Sequence, residues 1–455
     1  MNRFHISRRL AVIVAGLGGV LLGLSAAAVP AAAARMVPLG DPHGRPVLAI
    51  PRPEPPGRNQ PGSLRAAPGS ELTLAQAPAG LRAAVRRSLG VPAASASSAG
   101  RQAELTAADG APGDIFGFSV ALSGRTAVVG APFKNSNNGA AYVFVRSGTT
   151  WSQQAKLTIA HGAAGAALGK SVALSGRTVV VGAPFQALGR RITGAAYAFV
   201  RSGTAWSRQA KLTAPVRSRV SDDLGWSVAV SGSTAVVGDP RNHSFTGAAF
   251  VFVRSGTAWS RQAKLTAAAH GFQQSLGTSV AVSGRTVVAG APDNGTAYVF
   301  VRSGTTWARQ AKLTGPVGSF GYSAALSGAT LVMGSPTENS FAGAAYVFTR
   351  SGNTWSQRAK LTAADGAADD FFGNSVALSG ATAVAGAPGK NANAGAAYVF
   401  TRSGTTWSQQ AKLTAAHGAA NDGLGNSVAL SGATALAGAP FKNASAGAAY
   451  VFRKV

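Results

Sequence analysis

Five arginines and a histidine crowd three neighbouring stretches of this chain: Arg190 and Arg191, Arg217 and Arg219, then Arg241 with His243. A guanidinium pairs in a planar, two-pronged way with carboxylate, sulfate or phosphate. The chemistry on offer is therefore recognition of an anion, tempered by Asp222 and Asp223 in the same region. A second series recurs at long intervals: Phe118, Lys170, Trp226, Thr278, Tyr322, Asn374 and Asn426. Aromatics mixed with amides suit a sugar, by stacking and hydrogen bonding, and suit packing between repeated units equally.

Groups for covalent chemistry are not assembled in this way. The chain has no Cys, which excludes disulfides and a thiolate nucleophile. His161, His270 and His417 share one repeat position with Asp109 and Asp365, so they fall on different units and form neither a metal set nor a triad. Asp114, Asp222, Asp223, Asp369, Asp370 and Asp422 are carboxylates of the kind a glycosidase uses. The adjacent ones point apart on an extended chain, and all six read as solvated loop acids. No phosphate-binding glycine motif sits on a strand–helix turn. The expectation is no catalytic residue, no metal and no cofactor.

The elements that must position the two series come from a repeat. Seven times the chain sets an aromatic or Leu beside Gly, follows with Ser-Val-Ala or a near copy, turns at Ser-Gly, and ends on Gly-Ala-Pro or a near copy. The pairs begin at Phe116, Leu168, Leu224, Leu276, Phe320, Phe372 and Leu424, spaced by 52, 56, 52, 44, 52 and 52 residues. Periods of this size mark a propeller, solenoid or array. Within one copy, residues 119–122 and 126–129 read as short strands, the second apolar on both faces and so buried between layers. Residues 140–145 read as a third, and 151–158 alternate as a fourth. Four antiparallel strands in seven copies predict an all-β, seven-bladed β-propeller over residues 101–455. The last copy stops after three strands, and Gln102-Ala103-Glu104-Leu105-Thr106 repeats Gln154-Ala155-Lys156-Leu157-Thr158. The N-terminal segment is thus expected to complete blade seven and close the ring.

Lys on each fourth strand (Lys156, Lys211, Lys264, Lys312, Lys360, Lys412) reads as protection of an outer edge against pairing. The Trp five residues after each third-strand Arg reads as filling between blades. Ahead of the repeats, residues 1–34 read as an export signal, with Arg3, Arg8 and Arg9 before an apolar run and a small-residue cleavage region. Residues 35–100, rich in Pro, Ala, Arg and Gly, read as a disordered linker. The net charge is +27, and residues 101–455 alone carry 31 basic against 12 acidic side chains. Such a surface attracts polyanions.

These residues resemble the FG-GAP repeat of integrin α-subunit propellers, and more closely its bacterial secreted form. The resemblance runs through all seven copies and implies a propeller used for extracellular recognition and adhesion. Several integrin blades hold calcium in a loop of spaced Asp residues between the first two strands. Here that hairpin is Leu122-Ser123-Gly124-Arg125-Thr126 and its copies, none with a carboxylate, so the metal sites are not carried over.

Spacing divides the two rims of such a propeller. From the Gly of each aromatic/Leu-Gly pair to the Gly of Gly-Ala-Pro is 13 residues in every copy, and from the third-strand Arg to Trp is 5 in all six complete ones. Every length change falls in the second–third loops and the blade connections, on the other rim. Pro184 to Tyr197 is 13 residues and Pro292 to Tyr298 only 6. The long loops of blades two and three gather the arginines. The short ones at Asp293-Asn294 and residues 315–319 leave a notch beside Glu338. The expectation is a secreted, periplasmic or cell-surface, non-enzymatic, monomeric propeller. It recognises an extracellular polyanion, glycan or protein through the variable rim, without specific nucleic-acid binding, and meets a membrane only through an uncleaved N-terminal segment. The competing classes are a secreted polysaccharide hydrolase or lyase acting at the channel mouth, and a purely structural envelope protein.

Overall fold

The structure, a computed structural model, describes residues 102–159, 165–189, 191–215, 222–267, 274–453 and 455. The signal and linker readings for residues 1–34 and 35–100 lie outside them, as do Arg190, Arg217 and Arg219. Blade one shows how a repeat folds. Its strands are Ser119–Ser123, Thr126–Ala131, Ala140–Ser147 and Thr150–Leu157, hydrogen-bonded in chain order. The second strand is apolar on both faces because both are covered: Ala127, Val128 and Val129 are 0 % exposed. The outer strand bulges once, where pairing jumps from Val143–Ala155 to Phe144–Gln153 and leaves Gln154 unopposed. The same bulge recurs in the next five blades.

Seven such sheets stand in a ring, with the first strand of each innermost and in contact with the first strands on both sides, blade seven against blade one. Blade seven draws its outer strand from the other end of the repeats. Ala103–Leu105 pairs antiparallel with the last strand, Ala103 opposite Val451 and Leu105 opposite Ala449. Apolar clusters fill the joints, each drawn from two successive blades; Val128, Val143 and Leu157 of blade one pack with Leu168, Val179 and Tyr197 of blade two.

The repeated motif is the joint itself. Ser119 Oγ donates to the carbonyl of Gly169, in the next blade's Leu-Gly, at 2.8 Å. The equivalent bonds from Ser171, Ser227, Ser279, Ser323, Ser375 and Ser427 span 2.7–2.9 Å, and the last returns to Gly117 of blade one. Gly130 of Gly-Ala-Pro lies against that same carbonyl of Gly169, and a Cβ there would overlap it. We expect Gly130→Ala to cost about 2–3 kcal/mol, since neither backbone can retreat without opening the joint. Chemical denaturation that gives an unchanged midpoint would show that the close approach is dispensable.

A second set of bonds ties the outer strands. Four Trp indoles reach the bulged Gln of the blade before: Trp206 to Gln154, Trp259 to Gln209, Trp307 to Gln262 and Trp355 to Gln310, at 2.8–3.0 Å. Three third-strand arginines also cross joints, Arg254 to Thr178 and Arg350 to Thr286, both at 3.2 Å, and Arg453 to the Gly148 carbonyl at 2.9 Å. Arg201 and Arg302 bond the carbonyls of Gly203 and Gly304 in their own hairpins. These Trp and Arg side chains therefore act in the frame, as the regular spacing of the Trp suggested.

Candidate binding surface

The chain enters each inner strand from the rim whose loops vary in length, so the residue after each aromatic/Leu-Gly pair stands at that mouth of the central channel. Three of these side chains meet. Lys170 Nζ lies 4.6 Å from the ring centre of Phe118 and 4.2 Å from that of Trp226. Burial between the rings lowers the Lys170 ammonium to about 8, while Asp223 pulls the other way. Two more form a chain: Asn374 Nδ2 donates to the carbonyl of Asn426 at 2.9 Å, and Asn426 Nδ2 to that of Phe118 at 3.0 Å. Thr278 Oγ1 turns back to the Ser275 carbonyl. Tyr322 alone stays open, 39 % exposed. The ring is thus largely engaged with itself, as packing between blades requires, and its open point is at blade five.

The second–third loops carry a local form not foreseen in the sequence. In five blades the loop winds into a four-residue turn: Lys134–Asn137, Asn242–Phe245, Glu338–Phe341, Lys390–Asn393 and Lys442–Ser445. Asn135, Ser136 and Asn137 all have positive φ, between 52° and 69°, and the other four turns repeat this. A left-handed turn is costly for L-residues, least so for Asn. What holds it is the next blade: Ala167 and Leu168 donate their N–H groups to the carbonyls of Asn137 and Asn138. The Asn after each loop Lys was the available signal.

The loop acids are not solvated, which corrects the reading of five of the six. Asp114, Asp222, Asp223, Asp370 and Asp422 are buried, and only Asp369 is exposed. In blades one, six and seven the reason is a buried lysine twenty residues on: Lys134–Asp114 at 2.8 Å, Lys390–Asp370 at 2.9 Å and Lys442–Asp422 at 3.5 Å. Charges removed from water need such partners. Asp109 and Asp365 are held below the ordinary carboxylate range, despite partial burial, by Lys156 and Tyr142 and by Lys412 and Tyr398 respectively. The outer-strand lysines therefore do more than guard an edge.

Blade three breaks the pattern. Asn242 replaces the lysine, and Asp239 replaces the Ala of Gly-Ala-Pro. Asp223 donates its N–H to Asp239 Oδ1 at 3.0 Å, and Asn242 donates to Oδ2 at 3.0 Å. Burial, with Asp222 close by, raises Asp239 to about 7. Burial raises Asp223 to about 6 against the pull of Arg241, whose Nε lies 3.2 Å from its Oδ2. Arg241 also covers the ring of Phe245 at 5.5 Å, so this predicted anion ligand is spent largely on an internal acid. His243 is exposed at the turn. Arg191 is exposed in a two-stranded arm, Ala187–Leu188 with Arg191–Ile192, and its side chain makes no hydrogen bond or ion pair among the described residues. The Ile192 carbonyl accepts from Asp222 N–H, so Arg191 and Arg241 flank the Asp222-Asp223 pair on one sector.

At the notch, Gly315 N–H donates to the Gly295 carbonyl, joining the two short loops. Glu338 beside it is taken up by Tyr346, at 2.7 Å, and Lys360. The exposed large apolar side chains among the described residues, Leu188 at 65 %, Val317 at 77 % and Tyr322, all lie on this variable rim. No group of three or more His, Asp or Glu there or elsewhere among the described residues is placed to hold a metal ion.

The model of one family, the FG-GAP repeat, matches residues 100–144, 151–199, 206–252, 259–300, 355–400 and 407–452, more than half of the chain. The chain belongs to the FG-GAP repeat family. Its FG-GAP matches pass over residues 301–354, most of blade five, where the motif drifts to Ser323-Ala324-Ala325 and Gly334-Ser335-Pro336. That blade nevertheless keeps its four strands and its Ser323–Gly373 bond, so the FG-GAP propeller has seven blades. No curated protein matches the sequence. Among solved structures, a chain of a mitotic checkpoint complex is 13 % identical with a TM-score of 0.51, over 79 % of this chain and 95 % of that one. The structure of U3-55K is 12 % identical with a TM-score of 0.53, over 77 % and 98 %. Likeness at this identity concerns the fold alone.

Proposed function

We propose that this FG-GAP propeller is an exported binding protein that engages an anionic glycan or an acidic protein surface through its variable rim, without turnover. The observation that carries the reading is the segregation of variation. Loop length, the exposed Arg191 and the exposed Leu188, Val317 and Tyr322 all fall on one rim, over a frame whose joints repeat around the ring. A rigid scaffold with one variable face is the arrangement that binding loops use. The three carboxyls whose burial raises their affinity for protons, Asp222, Asp223 and Asp239, are 5 %, 1 % and 0 % exposed, so they are withdrawn from a glycosidic oxygen. Arg190, Arg217 and Arg219 belong to the same loops and add to the charge.

The test is retention on a sulfated polysaccharide column. Reversing Arg190, Arg191, Arg217 and Arg219 to Glu should sharply weaken retention at physiological salt and leave the thermal transition in place. Unchanged retention sinks the reading, and release of shortened product from the same polysaccharide would replace it with a hydrolase or lyase.

A further inference from the structure

The belt of Trp–Gln bonds between outer strands holds at four joints, and two further Trp indoles, Trp151 and Trp407, are buried without a partner; for Trp407 the reason is chemical. At four joints a Gln Oε1 accepts from the indole N–H of the following blade. Between blades five and six the bulged position is Arg358, a cation with no acceptor to give. Arg358 Nε turns instead to Thr349 Oγ1 of its own blade, at 2.9 Å. Trp407 Nε1 is left buried with no partner. A cavity of about 620 Å³ opens at this joint, lined by Arg350, Arg358, Arg402, Trp407, Thr330 and Thr349. Its volume falls within the range of about 300–1,000 Å³ usual for small-molecule sites. No carboxylate lines it, and none of the three arginines is ion-paired with an acid among the described residues.

We infer that the joint between blades five and six is a binding site for an oxyanion group, carboxylate, sulfate or phosphate. The anion supplies the acceptor that Gln supplies at the other four joints. One oxygen answers the Trp407 N–H once the ring shifts toward the cavity. The others lie among Arg358 and Arg402, whose forks match their geometry. Three unpaired guanidinium groups around one cavity repel each other until an anion enters, which favours the occupied state. Trp407 also offers a flat apolar wall of the kind that stacks on a sugar ring, so the anion can be borne by a saccharide. The cavity is built from the hairpins of constant length, on the rim opposite the arginine-bearing loops, so it stands whether or not those loops bind anything.

Thermal shift at fixed ionic strength, sulfate replacing chloride, tests this in the full chain. A parallel arm uses a sulfated disaccharide. Ligand at ten times its Kd should raise the melting temperature by about 2 °C. Arg358→Gln installs the residue found at the other joints, so it should melt no lower than the parent without ligand, yet weaken the ligand effect at least ten-fold. Arg402→Ala should weaken it likewise. A response to sulfate identifies a free oxyanion as sufficient, and a response to the disaccharide alone identifies a carbohydrate-borne one. No shift with either, or the same shift in Arg358→Gln, overturns the inference.

Discussion

A chain lacking residues 101–107 should melt at least 7–10 °C below the parent, or lose a cooperative transition altogether. Those residues contain Ala103–Leu105, the outer strand of blade seven. Leu105 is 3 % exposed and packs with Phe116, Tyr142 and Val451 across the joint between blades seven and one. Losing a buried Leu costs about 2–5 kcal/mol. The strand's ladder bonds and the two bonds from Gln102 to the backbone of Thr414 and Ala416 add about 1 kcal/mol each. Against a whole-domain stability of about 5–15 kcal/mol, this is a large share. The unpaired edge left on the last strand, Ala448–Arg453, should also drive self-association. Leu105→Ala should show about half the effect without the edge. Differential scanning calorimetry of the three proteins decides it, and a truncated chain that melts with the parent would mean the ring is held elsewhere.

Asp239→Asn should stabilise the protein at pH 8 by about 3–4 kcal/mol and do almost nothing at pH 4. The sign follows from the raised proton affinity of Asp239, about 7 in the fold against 3.8 in an unfolded chain. Below pH 3.8 the carboxyl is neutral in both states and costs nothing. As pH rises from 3.8 to 7 the unfolded chain ionises first, and the folded state loses about 1.4 kcal/mol per pH unit relative to it. Above 7 the cost is complete. Asn keeps the oxygen that accepts from Asp223 N–H and removes the titration. The gap between variant and parent should therefore widen steadily between pH 4 and 7, to about 4 °C in melting temperature for a ring of this size. A gap independent of pH would mean that Asp239 is neutral throughout or stays ionised at little cost.

The fold was legible because its signals are periodic. Phe116 and its six counterparts, the strand alternation after Trp151, and the copy of Gln154–Thr158 at residues 102–106 are each visible without coordinates. The joint was legible only as a recurring phrase. Nothing in Ser119 or Gly169 announces that one donates to the other, because the acceptor is a backbone carbonyl fifty residues away. The site was less legible still. Composition marks Arg241 as an anion ligand, but whether it is available depends on Asp223, which burial has made into its partner. The Lys–Asp pairs could have been found by comparing copies, since Lys134, Lys390 and Lys442 occur in the blades that carry Asp114, Asp370 and Asp422. The cavity beside Trp407 depends on one substitution, Arg358 for Gln, that periodic reading treats as noise.

Each joint closes on a main-chain oxygen and a Ser hydroxyl, repeated seven times within 0.2 Å. A lock of that kind does not ask which side chains its neighbour carries. Duplicating or exchanging whole units in the gene would therefore keep this closure, while the apolar clusters and Trp–Gln bonds beside it would still have to match. A further restriction is on number, since only a set count of units brings the last Ser427 round to the first Gly117. The molecule is in effect a circular rack of cartridges, free to change what each one displays but not how many it holds.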